Sequence, residues 1–205
     1  MAQEIRLSSG QISGRIQIVQ AITIVWMIVE AGVSLMAAWN ARSPALLAFG
    51  GDSLVELFSA SIVFWRFTTR TTQELAERTA AKIAGALLFV LGAFVVAGSL
   101  RALLGYNQPG SSRLGIGVLI AAIVIMPWLA REKRRLSAVT ASAALRADAA
   151  QSNLCAYLAM IALGGLAANA IWHIGWADPI AALAVMPFIV YEGVEAIRGR
   201  PCGCH

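Results

Sequence analysis

The stretch PALLAFGGDSLVELFSASIVFW, residues 44–65, decides how the chain is read. Its 22 residues are enough to cross a hydrocarbon core about 30 Å thick as a single helix. Two carboxylates, Asp52 and Glu56, interrupt an otherwise largely apolar run. Four residues apart, they fall on one helical face, one turn from each other. A charge near the bilayer centre costs roughly 2.5–3.5 kcal/mol on the insertion scale. Two ionised carboxylates one turn apart also repel. A bound cation relieves both costs, and so does a shared proton. The pair therefore points to an ion or proton pathway through a membrane.

The rest of the composition agrees. Hydrophobic residues make up 59% of the 205-residue chain, mean hydropathy is +0.71, and charged residues are only 13%. A soluble domain carries about 25% charged residues. Six apolar runs are long enough to span, near 17–39, 45–65, 83–105, 114–130, 150–172 and 178–197. The expected fold is an all-α membrane protein of six transmembrane helices. Residues 1–200 form one transmembrane domain and 201–205 a short tail, with no separate soluble domain expected.

Basic residues set the orientation. With the N-terminus inside, the inner segments hold Arg6, Arg15, Arg66, Arg70, Arg78, Lys82, Arg131, Lys133, Arg134, Arg135, Arg146, Arg198 and Arg200. The outer loops hold Arg42, Arg101 and Arg113, so the asymmetry is thirteen to three. Both termini are expected in the cytoplasm, and the protein in the inner cell membrane as a multi-pass chain. The net charge of +5 then reflects topology, so nucleic acid is not an expected partner.

Further polar residues lie within the spans. Glu30 sits in the middle of the first. The fifth opens Leu145-Arg146-Ala147-Asp148 and continues to Gln151, Ser152, Asn153 and Cys155. Gln151 and Cys155 are one turn apart, and Asp148, Ser152 and Cys155 follow i, i+4, i+7. Pairs from the second and fifth helices supply four donors, the number a tetrahedral zinc-like site needs. A thiolate leans such a site towards zinc, cadmium or mercury and away from magnesium or calcium. Plainer readings stand beside this one. Cys155 also fits a small hydrophobe, Asp148 a solvated helix end, and Gln151, Ser152 and Asn153 interhelical hydrogen bonding. Asp178, before Pro179, reads as the N-cap of the sixth helix. Trp172, His173 and Trp176 read as interfacial, and Glu192 and Glu195 as solvated at the cytoplasmic end. Cys202, Cys204 and His205 form a short tail able to chelate soft metal ions.

The second span with D-S-L-V-E, the fifth opening L-R-A-D-A-A-Q-S-N-L-C and the sixth opening W-A-D-P-I-A-A-L resemble the cation diffusion facilitator transporters. The resemblance covers nearly the whole chain. It implies metal ligands at Asp52 and Glu56 in the second span, and at Gln151 and Cys155, where the family carries His and Asp. Asp148 matches another acidic position, and Glu30 is placed to join as an accessory metal or proton site. The family usually carries a cytoplasmic C-terminal domain, and the expectation here is a variant that lacks it, since only a few residues follow the sixth span. The Cys202–His205 tail is the expected partial replacement for metal collection.

The expected protein is a transporter and not an enzyme. It exports divalent transition-metal cations, with zinc first and cadmium or mercury as soft alternatives, by proton antiport. The metal is substrate, and no cofactor is expected. Lipid bilayer, metal ions, protons and a second copy in a homodimer are the expected partners. The alternative is a metal-binding membrane sensor or modulator that acts through a partner without transport. A redox protein using Cys202 and Cys204 is a weaker third reading.

Overall fold

The computed structural model describes residues 9–69, 74–106 and 108–198, so the tail residues Cys202, Cys204 and His205 lie outside the described residues. It has six helices: α1 (Ser9–Ala41), α2 (Pro44–Thr69), α3 (Glu74–Leu103), α4 (Arg113–Thr140), α5 (Ala143–Trp172) and α6 (Ala177–Arg198). All six are long and apolar enough to cross a membrane, and the described residues include no strand. Six crossings bring the chain back to the side from which it starts.

Two helices run well past their apolar segments. α4 continues to Thr140 through Arg131–Arg135, and α5 begins at Ala143. The charged connection expected between them is therefore mostly helix. Arg, Glu and Lys are good helix formers, so nothing in that run ends the ladder. The break comes at Ala141, which is left-handed at φ 51°, and Ser142 caps α5 by accepting from the Leu145 N–H at 3.3 Å.

α1 packs on α2, α4 on α5 and α3 on α6, and α2 also touches α3, α5 and α6. α2 is the central helix. Inside the protein lies 61% of its apolar window, against 22% for α3 on the periphery. Polar groups turn inward. On α1 the buried line is Ile16, Gln20, Thr23, Met27, Glu30 and Ser34, at helical spacing, while Ile18, Ile22, Val25, Val29 and Met36 are exposed. This arrangement suits a lipid surround, where apolar side chains face outward and polar ones face other helices.

Two glycines place α2 tightly between its neighbours. A Cβ on Gly50 would come 2.9 Å from Ser34 Cβ on α1, and one on Gly51 would come 2.5 Å from Leu91 on α3. Gly50 thus lets α2 approach Ser34 of α1 closely, and the Leu91 side chain of α3 fills the space beside Gly51, just before Asp52.

Asp178 does not act as the N-cap expected for its own helix. It lies in the first turn of α6, and its carboxylate serves the start of α2. Asp178 accepts from the Ser43 hydroxyl at 2.5 Å and from the Ala45 N–H at 3.2 Å. Ser43 in turn accepts from the Leu46 N–H at 3.1 Å. The free N–H groups at the α2 terminus attract a carboxylate, and burial of Asp178 against Ser43 favours that use over local capping.

Candidate functional site

The polar interior forms three groups along α2. The first centres on Glu30. Its Oε1 accepts from Ser53 Oγ at 2.7 Å and from Cys155 Sγ at 3.4 Å, and its Oε2 accepts from Trp26 Nε1 at 2.6 Å. α1, α2 and α5 each contribute. Both oxygens of Glu30 are partnered, all by neutral donors.

The second group lies closer to the chain termini along the helices and is charged. Lys133 of α4 is fully buried. Its Nζ lies 2.9 Å from Asp148 Oδ2, 2.8 Å from Ser152 Oγ and 3.7 Å from Glu56 Oε1. The Ser152 hydroxyl donates to Glu56 Oε1 at 2.5 Å, and Gln20 Nε2 donates to Asp148 Oδ2 at 2.7 Å. Four helices, α1, α2, α4 and α5, meet here. Glu56 Oε2, Asp148 Oδ1 and Gln20 Oε1 are buried with no hydrogen-bond partner among the described residues.

The third group is a pair of carboxyls. Asp52 of α2 and Glu192 of α6 are hydrogen-bonded to each other, and both are buried. Two carboxyls in such contact require a proton or a cation between them. Asp52 Oδ1 and Glu192 Oε2 have no partner among the described residues. The three groups sense one another: Glu30 acts electrostatically on Asp52, Glu56 and Cys155, and Asp148 acts on Glu56.

Asp52, Glu56, Asp148, Cys155 and Glu30 are all buried in this interior. Cys155 contacts Glu30, and Asp148 contacts Lys133. Gln151 is half-buried beside them on α5 and joins none of the polar contacts that surround Ser152. Among the described residues, no three His, Cys, Asp or Glu side chains converge as a ready-made metal cage. A cation entering this interior would have to draw the groups together.

Three participants, Lys133, Gln20 and Glu192, escape the sequence reading, and a fourth, Ser152, takes a part that it left open. Lys133 was counted with the loop charges, yet it continues the buried face of α4 through Met126, Leu129, Ala130, Leu136 and Ser137. That spacing was a legible signal, hidden by the basic residues around it. Ser152, which the sequence places on one face with Asp148 and Cys155 and allows as interhelical glue, does bond across helices, to Lys133 and Glu56. Gln20 is about one turn along the buried face of α1 from Ile16, and nothing in its own neighbourhood marks it. Glu192, expected to be solvated, is buried, because α6 packs on α2, α3 and α5 and runs on to Arg198. His173 is exposed at the left-handed end of α5, in keeping with an interfacial position.

A comparison with curated proteins finds no match. A family profile described as the cation efflux transmembrane domain matches residues 20–199. The match runs from within α1 to the end of α6 and takes in every polar group described above, so the chain belongs to the cation efflux family, the cation diffusion facilitators of the sequence resemblance.

Proposed function

We propose that the protein exports divalent transition-metal ions from the cytoplasm in exchange for protons, with zinc as the leading substrate and cadmium or mercury as soft alternatives. Membership of the cation efflux family makes metal-cation transport the general activity. One observation carries the finer reading. Five carboxyl and amide oxygens, on Gln20, Asp52, Glu56, Asp148 and Glu192, are buried in the bundle with no donor among the described residues. Each such orphan costs about 1–3 kcal/mol, and more when it is charged. Cations and protons are the species that relieve acceptors, and they compete for the same lone pairs. Metal binding therefore releases protons, and proton return releases metal.

The Cys155 thiol beside Glu30 supports a transition metal, since sulfur that gives up its proton to a bound metal favours softer ions. Removing buried Lys133 from the inner charge tally leaves twelve basic residues against three, which still supports cytoplasmic termini and an inner-membrane location. The six-helix domain is the transport unit, and a homodimer is its proposed assembly. The Cys202, Cys204 and His205 tail collects metal. Its deletion should lower flux at low metal and leave flux at saturating metal intact.

Reconstitution into liposomes tests the reading. A pH gradient should drive zinc movement, with counter-movement of protons, in wild type but not in Asp52→Asn. Metal binding with no flux under any gradient would overturn transport and favour the sensor.

A further inference from the structure

The Glu56, Asp148, Ser152 and Gln20 cluster already holds a cation that belongs to the chain. Lys133 Nζ sits 2.8 Å from Ser152 Oγ and 2.9 Å from Asp148 Oδ2, with Glu56 Oε1 at 3.7 Å. We propose that Lys133 is a tethered competitor for the substrate cation: its ammonium group holds the cation position of this cluster in the unloaded protein, and a divalent ion enters by displacing it.

Three features lead there. The first is charge. Two carboxyls face one ammonium, so with both ionised the cluster carries one negative charge beyond what the ammonium compensates. A divalent ion in place of the ammonium brings the sum to zero. The second is donor count. An ammonium donates three hydrogen bonds; Asp148 and Ser152 lie within reach of two, and Glu56 Oε1 stands off at 3.7 Å as an ion-pair partner. Glu56 Oε2, Asp148 Oδ1 and Gln20 Oε1 then remain without a partner among the described residues, although each is fully buried in the same cluster. A divalent ion accepts four to six oxygen ligands and satisfies what the ammonium leaves over. The third is the tether. A lysine head rides on four methylenes with free rotation, so it can withdraw without a shift of α4. Its chain neighbours Arg134 and Arg135 are exposed, so exposed positions lie next to Lys133 along α4, while Leu136 and Ser137 on its own face are buried.

An internal cation of this kind does two things. It spares the unloaded bundle the cost of naked buried carboxylates. It also sets a threshold, because the apparent affinity for the ion is lowered by the fraction of protein in which Lys133 occupies the cluster. The inference rests on the transport reading for its physiological meaning, but its binding test does not need flux.

The test is a titration of purified full-length protein with Mn²⁺, read by loss of the free-ion signal in electron paramagnetic resonance. Manganese prefers oxygen donors, which keeps it away from the thiols. Lys133→Met should bind Mn²⁺ at least about tenfold more tightly than wild type, because the competitor is gone. Lys133→Arg, which keeps a tethered cation, should stay near wild type. Adding Glu56→Gln to Lys133→Met should remove the gain and so locate the ion in the cluster. Unchanged or weaker binding in folded Lys133→Met overturns the proposal, as does undetectable binding in both proteins. Should Lys133→Met not fold, wild type answers instead: acylation of Lys133 by an amine-reactive reagent, quantified by mass spectrometry, should rise several-fold at saturating Mn²⁺. Unchanged labelling overturns displacement. Flux without an affinity gain would leave the transport reading standing and sink this one; an affinity gain without flux would do the reverse.

Discussion

Glu30 and Glu56 are both fully buried glutamates on helices of the same bundle, yet their surroundings differ in kind. Glu30 is held by an indole N–H, a hydroxyl and a thiol, and neither of its oxygens is left over. Glu56 shares one oxygen with Ser152 and Lys133 and leaves the other with no donor among the described residues. The Glu30 group is saturated by neutral donors and includes sulfur. The Glu56 group is bound by charge, consists of oxygens around one ammonium, and stays short of donors. A saturated group can stand as it is. An under-satisfied one invites a further cation, so depth in the membrane alone does not identify where an ion binds.

The largest effect expected from this contrast is on stability. Lys133→Met leaves Glu56 and Asp148 without their counter-charge, and breaking a buried pair costs about 3–5 kcal/mol. Thermal unfolding of the purified variant should show that loss in ion-free buffer and recover much of it when Mn²⁺ is added. An equal loss with and without the ion would mean that the cluster is structural only.

Next in size is transport. Glu56→Gln should reduce zinc flux in proteoliposomes by about 100-fold, equivalent to about 2.7 kcal/mol. Glu30→Gln keeps a carbonyl acceptor for Ser53 or Trp26 and should cost less than about tenfold. Similar losses from the two substitutions, at equal membrane insertion, would erase the distinction between the groups.

A third polar contact, remote from both, provides the control. Asp178→Ala removes the carboxylate that accepts from Ser43 and the Ala45 N–H at the start of α2. It should lower stability by about 1–2 kcal/mol, the range of a lost helix cap, with saturating flux unchanged. A collapse of flux at full stability would move Asp178 into the ion path.

The smallest effect belongs to the thiol. Cys155→Ser should shift the cadmium-to-zinc flux ratio by on the order of tenfold towards zinc, worth about 1.4 kcal/mol. An unchanged ratio would make Cys155 a hydrogen-bond donor to Glu30 and no more.

Much of the fold was open to reading because lipid imposes long apolar runs. Residues 44–65 announce a span by length alone, and the other five runs do the same. Their ends were harder. α4 passes through Arg131–Arg135 without a break, because helix propensity ignores where the hydrocarbon stops. Asp52 and Glu56 stood out because their neighbours are apolar. Lys133 did not, since Arg131, Arg134 and Arg135 surround it and only helical phase separates it from them. Glu192 was misjudged for a related reason: its place near a helix end says nothing of what packs against that end.

By itself, then, the sequence determined the membrane class, the number of helices and the presence of costly carboxylates in their interior, because each follows from local composition and length. Tertiary structure alone decided which polar groups meet. Glu30 reaches Cys155 across 125 residues, Glu56 reaches Ser152 across 96, and Gln20 reaches Asp148 across 128. Such pairings depend on how six helices rotate and dock. That docking is governed by close contacts like those at Gly50 and Gly51, which no periodicity within a single helix encodes.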